Sequence, residues 1–454
     1  MKYIFFTYEG RCVPIAKHLL DEGQEVTLCL IEDPKYVSLP NEKIKEKPEE
    51  KERRMKTGEG IVNRIPLDKL LKVLPSLDRD KYFLFFDDNA LYQIAEKVAP
   101  LGFPGNYPTK WDREMEIDRE KAKKFVKEHY PDVKVAEYHE FKTIKEAEKF
   151  LNETDKEWVL KGFAPDSNVV VPSSDDTEIA KDQILEALHN NPKLYEKEGF
   201  LLEQFIPHPL EITPESVWYD GELIYTNVDL EYKKIGAGDV GYNEGCAGDL
   251  VFMTPTDCAL NKIAFPKIVS QLAKQHKGLF IWDISLLVDK DTNTFYFSEY
   301  CSNRIGINSF FTELTHLDTV SEFFEAIVKK QNPFVRSLYN FAVSVTLFNL
   351  LHEKGSDLAK SDLKILFPLD ISYYVWIYDA YIKDDIYYTI GSSQVMAVTG
   401  RGRDIIDAVN HAFDNVKQVS FEEMYYRYKT DFLDTYDTSL LSRYYYLKHQ
   451  QLIT

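Results

Sequence analysis

Short apolar runs alternate with helical stripes from the first residues. Tyr3–Thr7 reads as a buried strand. Val13, Ala16, Leu19 and Leu20 share one helical stripe that stops at Gly23, and Val26–Ile31 is a second apolar run. Strand, helix and strand at that spacing predict a βαβ unit, and with it a parallel sheet with a right-handed crossover. Phe83–Phe86 adds another buried strand, ending at Asp87-Asp88-Asn89. The carboxyl end of a strand in an open α/β sheet is where ligands tend to bind, although two acids there equally suit a polar loop. The turn Tyr8-Glu9-Gly10-Arg11 has a single glycine, so the GxGxxG dinucleotide fingerprint is absent. The turn-rich stretch Gly102–Pro108 predicts a boundary.

Beyond that boundary, Ala122, Phe125, Val126 and Tyr130 share a helix face, and Thr143 with Glu146 forms a capping box. Trp158–Leu160 is a short strand that delivers Lys161, and Phe200–Ile206 is a strong strand. Val217–Tyr225 has a hairpin signature at Asp220-Gly221. Tyr232–Gly248 holds five glycines in 17 residues and predicts an irregular loop. Such a backbone approaches ligands closely and presents N–H groups to anions. Leu260–Ala273 predicts one amphipathic helix. After residue 330 the pattern predicts a helix, then strands at Tyr373–Tyr378, Ile386–Gly391 and Val395–Thr399. A helix over Asp404–Val416 and a terminal helix within Leu433–Thr454 follow.

The stretch Phe280–Gly306 carries the most chemistry. It predicts a hairpin about the turn Asp289–Asn293. With the turn centred on Asp291, antiparallel pairing sets Asp283 opposite Glu299 on one face, where like charges repel. A divalent cation between them would remove that cost, and Mg²⁺ favours one or two carboxylates with phosphate oxygens. Asn303 and Arg304 follow, offering an amide oxygen and a forked cation. A solvated acid pair fits the same residues, and a register slip of one residue would separate them.

Composition narrows the class. The 454 residues are 44% hydrophobic and 28% charged, ordinary for a globular protein, with a net charge of −19. That charge argues against general nucleic-acid binding but leaves room for one basic cleft. Five scattered cysteines form no CxxC pair, which fits a reducing cytosol. The interrupted N-terminal run predicts no signal peptide. Apolar runs such as Phe341–Leu351 fall well short of the ~20 residues that span a bilayer.

Candidate ligand contacts are spread along the chain. Lys110 and Lys161 would act as point charges toward phosphates. Glu203 and Glu211 bracket a strand edge that offers backbone groups to a base and a carboxylate to ribose. Lys233 and Lys234 precede the glycine-rich stretch, which contains Asp239 and Asn243. Each of these residues taken alone is also an ordinary surface residue.

Their order resembles an ATP-grasp ligase, and within that superfamily glycinamide ribonucleotide synthetase, over most of residues 80–430. The closest motif is Asp239–Gly248 (DVGYNEGCAG), similar to that family's D-x-G-P-N-T-G-G-M-G at Asp239, Gly241, Asn243, Gly245 and Gly248. Glu299, Arg304 and Gly306 resemble its E-x-N-x-R-F-G-D-P-E. The chain departs at Tyr242, Glu244, Cys246 and Ala247, and at Ile307-Asn308-Ser309 in place of D-P-E.

The resemblance implies an α/β, ATP-grasp fold. Residues 1–108 would form a Rossmann-like pre-ATP-grasp domain. Residues 109–330 would be the ATP-grasp domain, with a lid at about 118–206, and residues 331–454 a C-terminal α+β domain. The implied activity is ADP-forming carboxylate–amine ligation through an acyl phosphate, with an acceptor unlike the usual one. Glycinamide ribonucleotide synthetase itself, or a non-catalytic nucleotide-binding descendant, are the alternatives. Asp283, Glu299 and Asn303 would ligate Mg²⁺ or Mn²⁺. Lys110 and Lys161 would hold the α/β-phosphates, Glu203 with Gln204, Phe205 and Ile206 would meet adenine, and Glu211 the ribose. Arg304, Lys233, Asp239 and Asn243 would be catalytic. The expected partners are ATP and small carboxylate and amine substrates, with no membrane and no nucleic acid. The expected setting is a cytoplasmic monomer or homodimer.

Overall fold

A computed structural model describes residues 1–38, 47–162, 169–172, 176–207, 209–238, 240–306, 308–352, 359–434 and 439–454. The βαβ opening forms as expected. Strand β1 (Lys2–Thr7) pairs in parallel with β2 (Glu25–Leu30) and β3 (Tyr82–Phe86), and β1 lies between them. A helix at Val13–Asp21 makes the crossover. Both faces of this sheet are apolar. Tyr3, Phe5, Phe83 and Phe85 face one core, and Ile4, Phe6, Leu84 and Phe86 the other, which is the pattern of a doubly covered parallel sheet.

A helix at Arg119–His129 leads to the short strand β4 (Val133–Lys134). A three-stranded antiparallel sheet follows, with β7 (Phe200–Gln204) between β5 (Tyr138–Phe141) and β6 (Trp158–Gly162). Its helix at Ile144–Glu153 is opened by Thr143, whose Oγ1 accepts from the Glu146 N–H at 3.3 Å. Register puts Tyr138, Val159, Lys161 and Glu203 on one face of this sheet.

The central sheet holds β8 (Leu210–Tyr219), β9 (Glu222–Gly236), β10 (Val240–Thr254), β11 (Leu279–Asp289), β12 (Thr294–Ser302) and β13 (Phe341–Asn349). Its order is Val375–Ile377, Gln394–Gly402, β13, β10, β9, β8, β11, β12, β4. Phe341–Asn349, Val375–Ile377 and Gln394–Gly402 therefore extend the same sheet, whereas Lys364–Ile365, Ala380–Lys383 and Ile386–Thr389 form a separate three-stranded sheet. The apolar run Phe341–Asn349, which the pattern after residue 330 did not single out as a strand, pairs with β10 on one side and Gln394–Gly402 on the other.

Two further expectations change. The glycine-rich segment is mostly strand, with two register shifts in the β9–β10 pairing at Val240/Asn243 and Asn243/Gly248. Gly241 (φ +89°) and Gly245 (φ +83°) supply the left-handed backbone that these bulges need. The stretch Leu260–Ala273 is two short helices, Ala259–Ala264 and Lys267–Ala273, because Pro266 cannot continue the first and opens the second. Among the described residues no helix is long and apolar enough to cross a membrane.

Candidate active site

The β11–β12 hairpin sets the site. Asp289 accepts from the Asp291 and Thr292 N–H groups at 3.0 and 3.3 Å, and Asn293 takes φ +52°, so the strands start pairing at Asp289–Thr294. A bulge between Ser285 and Leu286 shifts the register again. Asp283 therefore pairs with Cys301, and Glu299 with Ser285, instead of the direct opposition expected. The offset is two residues, so Asp283 and Glu299 still share a face, as diagonal neighbours.

Lys233 on β9 stands over this face. Its Nζ lies 2.6 Å from Glu231, 3.5 Å from Glu299 and 3.8 Å from Glu211. Burial works against the ammonium, but the three carboxylates win and hold Lys233 well above its usual range. Glu299 is held below the usual carboxylate range, chiefly by Lys233. Burial pushes Asp283 well above that range, and Glu215, Glu231 and Glu299 add to the shift. A divalent cation on the Asp283–Glu299 face would relieve this crowding, so the two carboxylates fit Mg²⁺ as hard oxygen donors completed by phosphate oxygens. Among the described residues no set of three or more His, Cys, Asp or Glu side chains is poised for a metal.

Asn303 does not join them. Its Oδ1 accepts from the Ile281 N–H at 3.1 Å and its Nδ2 donates to Asp112 at 3.2 Å, at a backbone φ of +48°. This fully buried amide closes the end of the hairpin. The side chain that follows Glu299 on the cation face is Cys301.

A cavity of about 420 Å³ lies between the three-stranded sheet and the central sheet. Val159, Ile206, Leu287 and Phe297 give it an apolar lining, and Lys123, Lys161, Arg119 and Lys233 bring cations to it. Glu203 lies between Lys123 and Lys161 and pairs with both. Burial opposes its charge, but the two lysines hold the Glu203 carboxyl below its ordinary range. Glu203, expected to meet adenine, is thus paired with two cations at the cavity wall. Gln204 and Phe205 also line the cavity, but their N–H groups already donate to the Glu137 and Glu157 carbonyls at 2.8 and 2.9 Å. These two N–H groups are committed to the fold, which leaves the carbonyls and side chains of both residues to face a base. Glu211 and Asn243 also line the cavity.

Lys110 lies elsewhere. It opens the Lys110–Ile117 helix, its side chain is 65% exposed, and it pairs with Glu114 at 3.4 Å, one helical turn on. The lysine of this region that lines the cavity is Lys123. Its ammonium is buried against Glu203 and sits 4.0 Å from the centre of the Tyr138 ring. The sequence signal was a lysine next to Ala122 and three residues before Val126, on the buried stripe of the Arg119–His129 helix. Asp239 lies outside the described residues.

A second cavity, about 320 Å³, opens at the end of β3. Glu116 and Glu299 line it together with the first cavity. Arg304 pairs with Glu116, and its Nε lies 3.5 Å from Asp88 Oδ2. Arg11 Nη1 lies 3.5 Å from the same oxygen, and Arg113 Nη1 4.0 Å from the other. Arg11 Nη1 and Arg304 Nε are buried and make no hydrogen bond among the described residues. The pair Asp87-Asp88 thus belongs to a built site and is not an ordinary polar loop.

Asp87 itself is buried and accepts from the Cys12 N–H at 3.1 Å. Burial pushes its carboxyl up to about 7. An unfolded aspartate loses its proton near pH ~4, so the native state binds the extra proton between there and about 7. The stability this contributes is full at low pH and is lost as pH rises through about 7. Asp87→Asn removes that titration. Unfolding free energies from urea melts at pH 4 to 8 should fall less steeply in the variant than in the parent, by roughly 4 kcal/mol across the range.

Residues 118–291 match the family model for the phosphoribosylglycinamide synthetase ATP-grasp (A) domain. A phosphoribosylamine–glycine ligase of Helicobacter pylori is 23% identical over 347 residues, covering 74% of this chain and 78% of that one. A bifunctional purine biosynthetic protein of Saccharomyces cerevisiae is 25% identical over 361 residues, covering 74% of this chain and 43% of its own length. The crystal structure of phosphoribosylamine–glycine ligase from Thermotoga maritima superposes with a TM-score of 0.64 at 17% identity, covering 94% of this chain and 99% of that one. The biotin carboxylase domain of Hydrogenobacter thermophilus 2-oxoglutarate carboxylase, solved with MgADP and bicarbonate, has a TM-score of 0.57 at 13% identity, covering 93% and 91%. The chain therefore has an ATP-grasp fold, its residues 118–291 are similar to the ATP-grasp domain of phosphoribosylglycinamide synthetase, and a Rossmann-like sheet precedes them.

Proposed function

We propose that the protein is an ADP-forming carboxylate–amine ligase whose carboxylate substrate differs from that of its named relatives. We further propose the division 1–108, 109–330 and 331–454, with a lid at about 118–206. The observation that carries the functional reading is the place of Glu299. It lines both the basic, partly apolar cavity and the arginine-lined cavity, with Lys233 beside it.

In this reading adenine lies against Val159, Ile206, Leu287 and Phe297, and the phosphates meet Lys123 and Lys161, which Glu203 holds in place. Glu211 is positioned for the ribose. Glu299 and Asp283 would hold Mg²⁺, which neutralises phosphate charge when bound. Arg11 and Arg304 orient the substrate carboxylate with their guanidinium groups. One carboxylate oxygen attacks the γ-phosphorus, the bond to the β–γ bridging oxygen breaks, and ADP leaves. The amine nitrogen then attacks the acyl carbon and gives up a proton, and inorganic phosphate departs with one of the former carboxylate oxygens. Lys233 stays protonated throughout and stabilises the charge that moves during transfer.

The H. pylori relative supports a narrower version, in which glycine and phosphoribosylamine are the substrates. The substituted Ile307-Asn308-Ser309 stretch and the arginine-lined cavity favour another carboxylate. An ADP-release assay with Mg·ATP, run across carboxylates and amines and including glycine with phosphoribosylamine, tests both. ADP should form only when a carboxylate is present. Release at background in every arm contradicts the reading.

A further inference from the structure

A third cavity of about 320 Å³ lies behind the second, and Glu9 and Arg11 line both. It is closed by elements far apart in the chain. Thr57 follows the Pro48–Lys56 helix, Tyr378 and Asp379 follow the Val375–Ile377 strand, and Ser392 and Ser393 precede the Gln394–Gly402 strand.

Its chemistry is that of a site for hydrogen-bond donors. Asp379 is buried, and its Oδ2 accepts from the Gly391 and Ser392 N–H groups at 3.1 and 2.9 Å, which fixes the carboxylate at the wall. Glu9 is the second carboxylate. A third, Glu244, lies behind Ser393, which donates to it at 3.1 Å. The lining cation, Arg11, is already paired with Glu9 at 2.8 Å. Tyr378 is 8% exposed, and its hydroxyl is buried without a hydrogen-bond partner among the described residues. Leaving a buried hydroxyl unsatisfied is costly, and a ligand in the cavity would satisfy it. An anionic ligand end would meet mainly carboxylates there, and an apolar end would leave the tyrosine hydroxyl unpaired.

We propose that the carboxylate substrate is an elongated one, with its carboxylate between Arg11 and Arg304 and a distal ammonium group in the cavity lined by Glu9, Tyr378 and Asp379. The proposal rests on the ligase reading, because that reading places the reacting carboxylate in the second cavity. Arg11 joins the two halves of the site. One edge faces the carboxylate, and its pairing with Glu9 sets the mouth of the distal cavity. This makes Tyr378 and Asp379 specificity-determining residues for a group remote from the reacting atoms.

Calorimetric titration of the full chain, saturated with Mg²⁺ and a non-hydrolysable ATP analogue, tests this. The probes are a homologous series of ω-amino carboxylates, with the matching unsubstituted carboxylates and dicarboxylates. At its best length the ω-amino member should bind at least about tenfold more tightly than either counterpart, as a charged hydrogen bond allows. Tyr378→Phe and Asp379→Asn should each erase about tenfold of that affinity. Tyr378→Phe should leave the melting temperature of the ligand-free protein unchanged or raise it, because the hydroxyl has no partner to lose and its burial is costly. Equal or tighter binding of the unsubstituted acids or the dicarboxylates overturns the proposal. So does an unaltered affinity in both variants, or no binding anywhere in the series. Binding of the nucleotide analogue is measured in the same experiment and separates the two failures. If the analogue binds and the preference is absent, only the substrate assignment falls. If it does not bind, the ligase reading falls with it.

Discussion

Replacing Lys233 with methionine is expected to cost both stability and turnover. Methionine keeps much of the aliphatic stem and removes the charge. Lys233 is the cation that Glu211, Glu231 and Glu299 share, and its side chain is 28% exposed. Removing one partner of a largely buried ion cluster leaves uncompensated charges and costs about 3–5 kcal/mol. Two signatures distinguish this from ordinary core damage. The loss should shrink as pH falls, because the stranded carboxylates then take up protons. Mg²⁺ should also restore part of the melting temperature, by supplying positive charge to the same face. Turnover should fall by on the order of 10²–10³-fold, the scale set by losing one preorganised charge stabiliser. Thermal melts at two pH values, with and without Mg²⁺, check the first part. A loss independent of both would show that Lys233 is only a packing residue.

Glu299→Gln is expected to separate activity from folding. The glutamate side chain is 59% exposed into the cleft, and Lys233 keeps Glu231 at 2.6 Å when the charge on residue 299 is gone. Stability should therefore change by less than about 1 kcal/mol. ADP formation should fall by on the order of 10³-fold, because a neutral amide is a poor ligand for a hard cation and no longer balances Lys233. The Mg²⁺ concentration for half-maximal activity should rise in parallel. Full activity in this variant would remove Glu299 from the metal assignment.

The fold was largely legible from apolar periodicity. The βαβ opening, the Thr143-capped helix and the Asp220-Gly221 hairpin all depend on local pattern and turn chemistry, and all form. The misses share a physical origin in tertiary context. Phe341–Asn349 is a mainly apolar run whose identity as a strand depends on neighbours β10 and Gln394–Gly402 that no local pattern specifies. The glycine-rich stretch keeps strand pairing because each bulge places a glycine where a left-handed φ is needed.

The candidate site shows the same division. Asp283 and Glu299 keep a common face despite a two-residue error in register, because strand faces repeat every two residues. Lys110 and Lys123 were indistinguishable as isolated cations. Lys123 is marked only by its place on a buried stripe and by Glu203, which is distant in sequence. Asn303 already sits one place nearer Arg304 than the asparagine of the E-x-N-x-R pattern, and its left-handed backbone and its bonds to Ile281 and Asp112 commit it to the hairpin end. Arg11 and Asp88 come together only when the turn after β1 meets the end of β3, so the second cavity could not be read from either segment alone.

The central claim is that an acyl phosphate forms between the two cavities that share Glu299. It is tested most directly by following oxygen. A carboxylate substrate labelled with ¹⁸O on both carboxyl oxygens is turned over with Mg·ATP and an amine, and the released inorganic phosphate is analysed by mass spectrometry. The account predicts one ¹⁸O atom in each phosphate, carried from the carboxylate when the amine displaces it. Phosphate that carries no label, with ADP formed at the same rate, would mean that water takes the γ-phosphoryl group and would contradict the account.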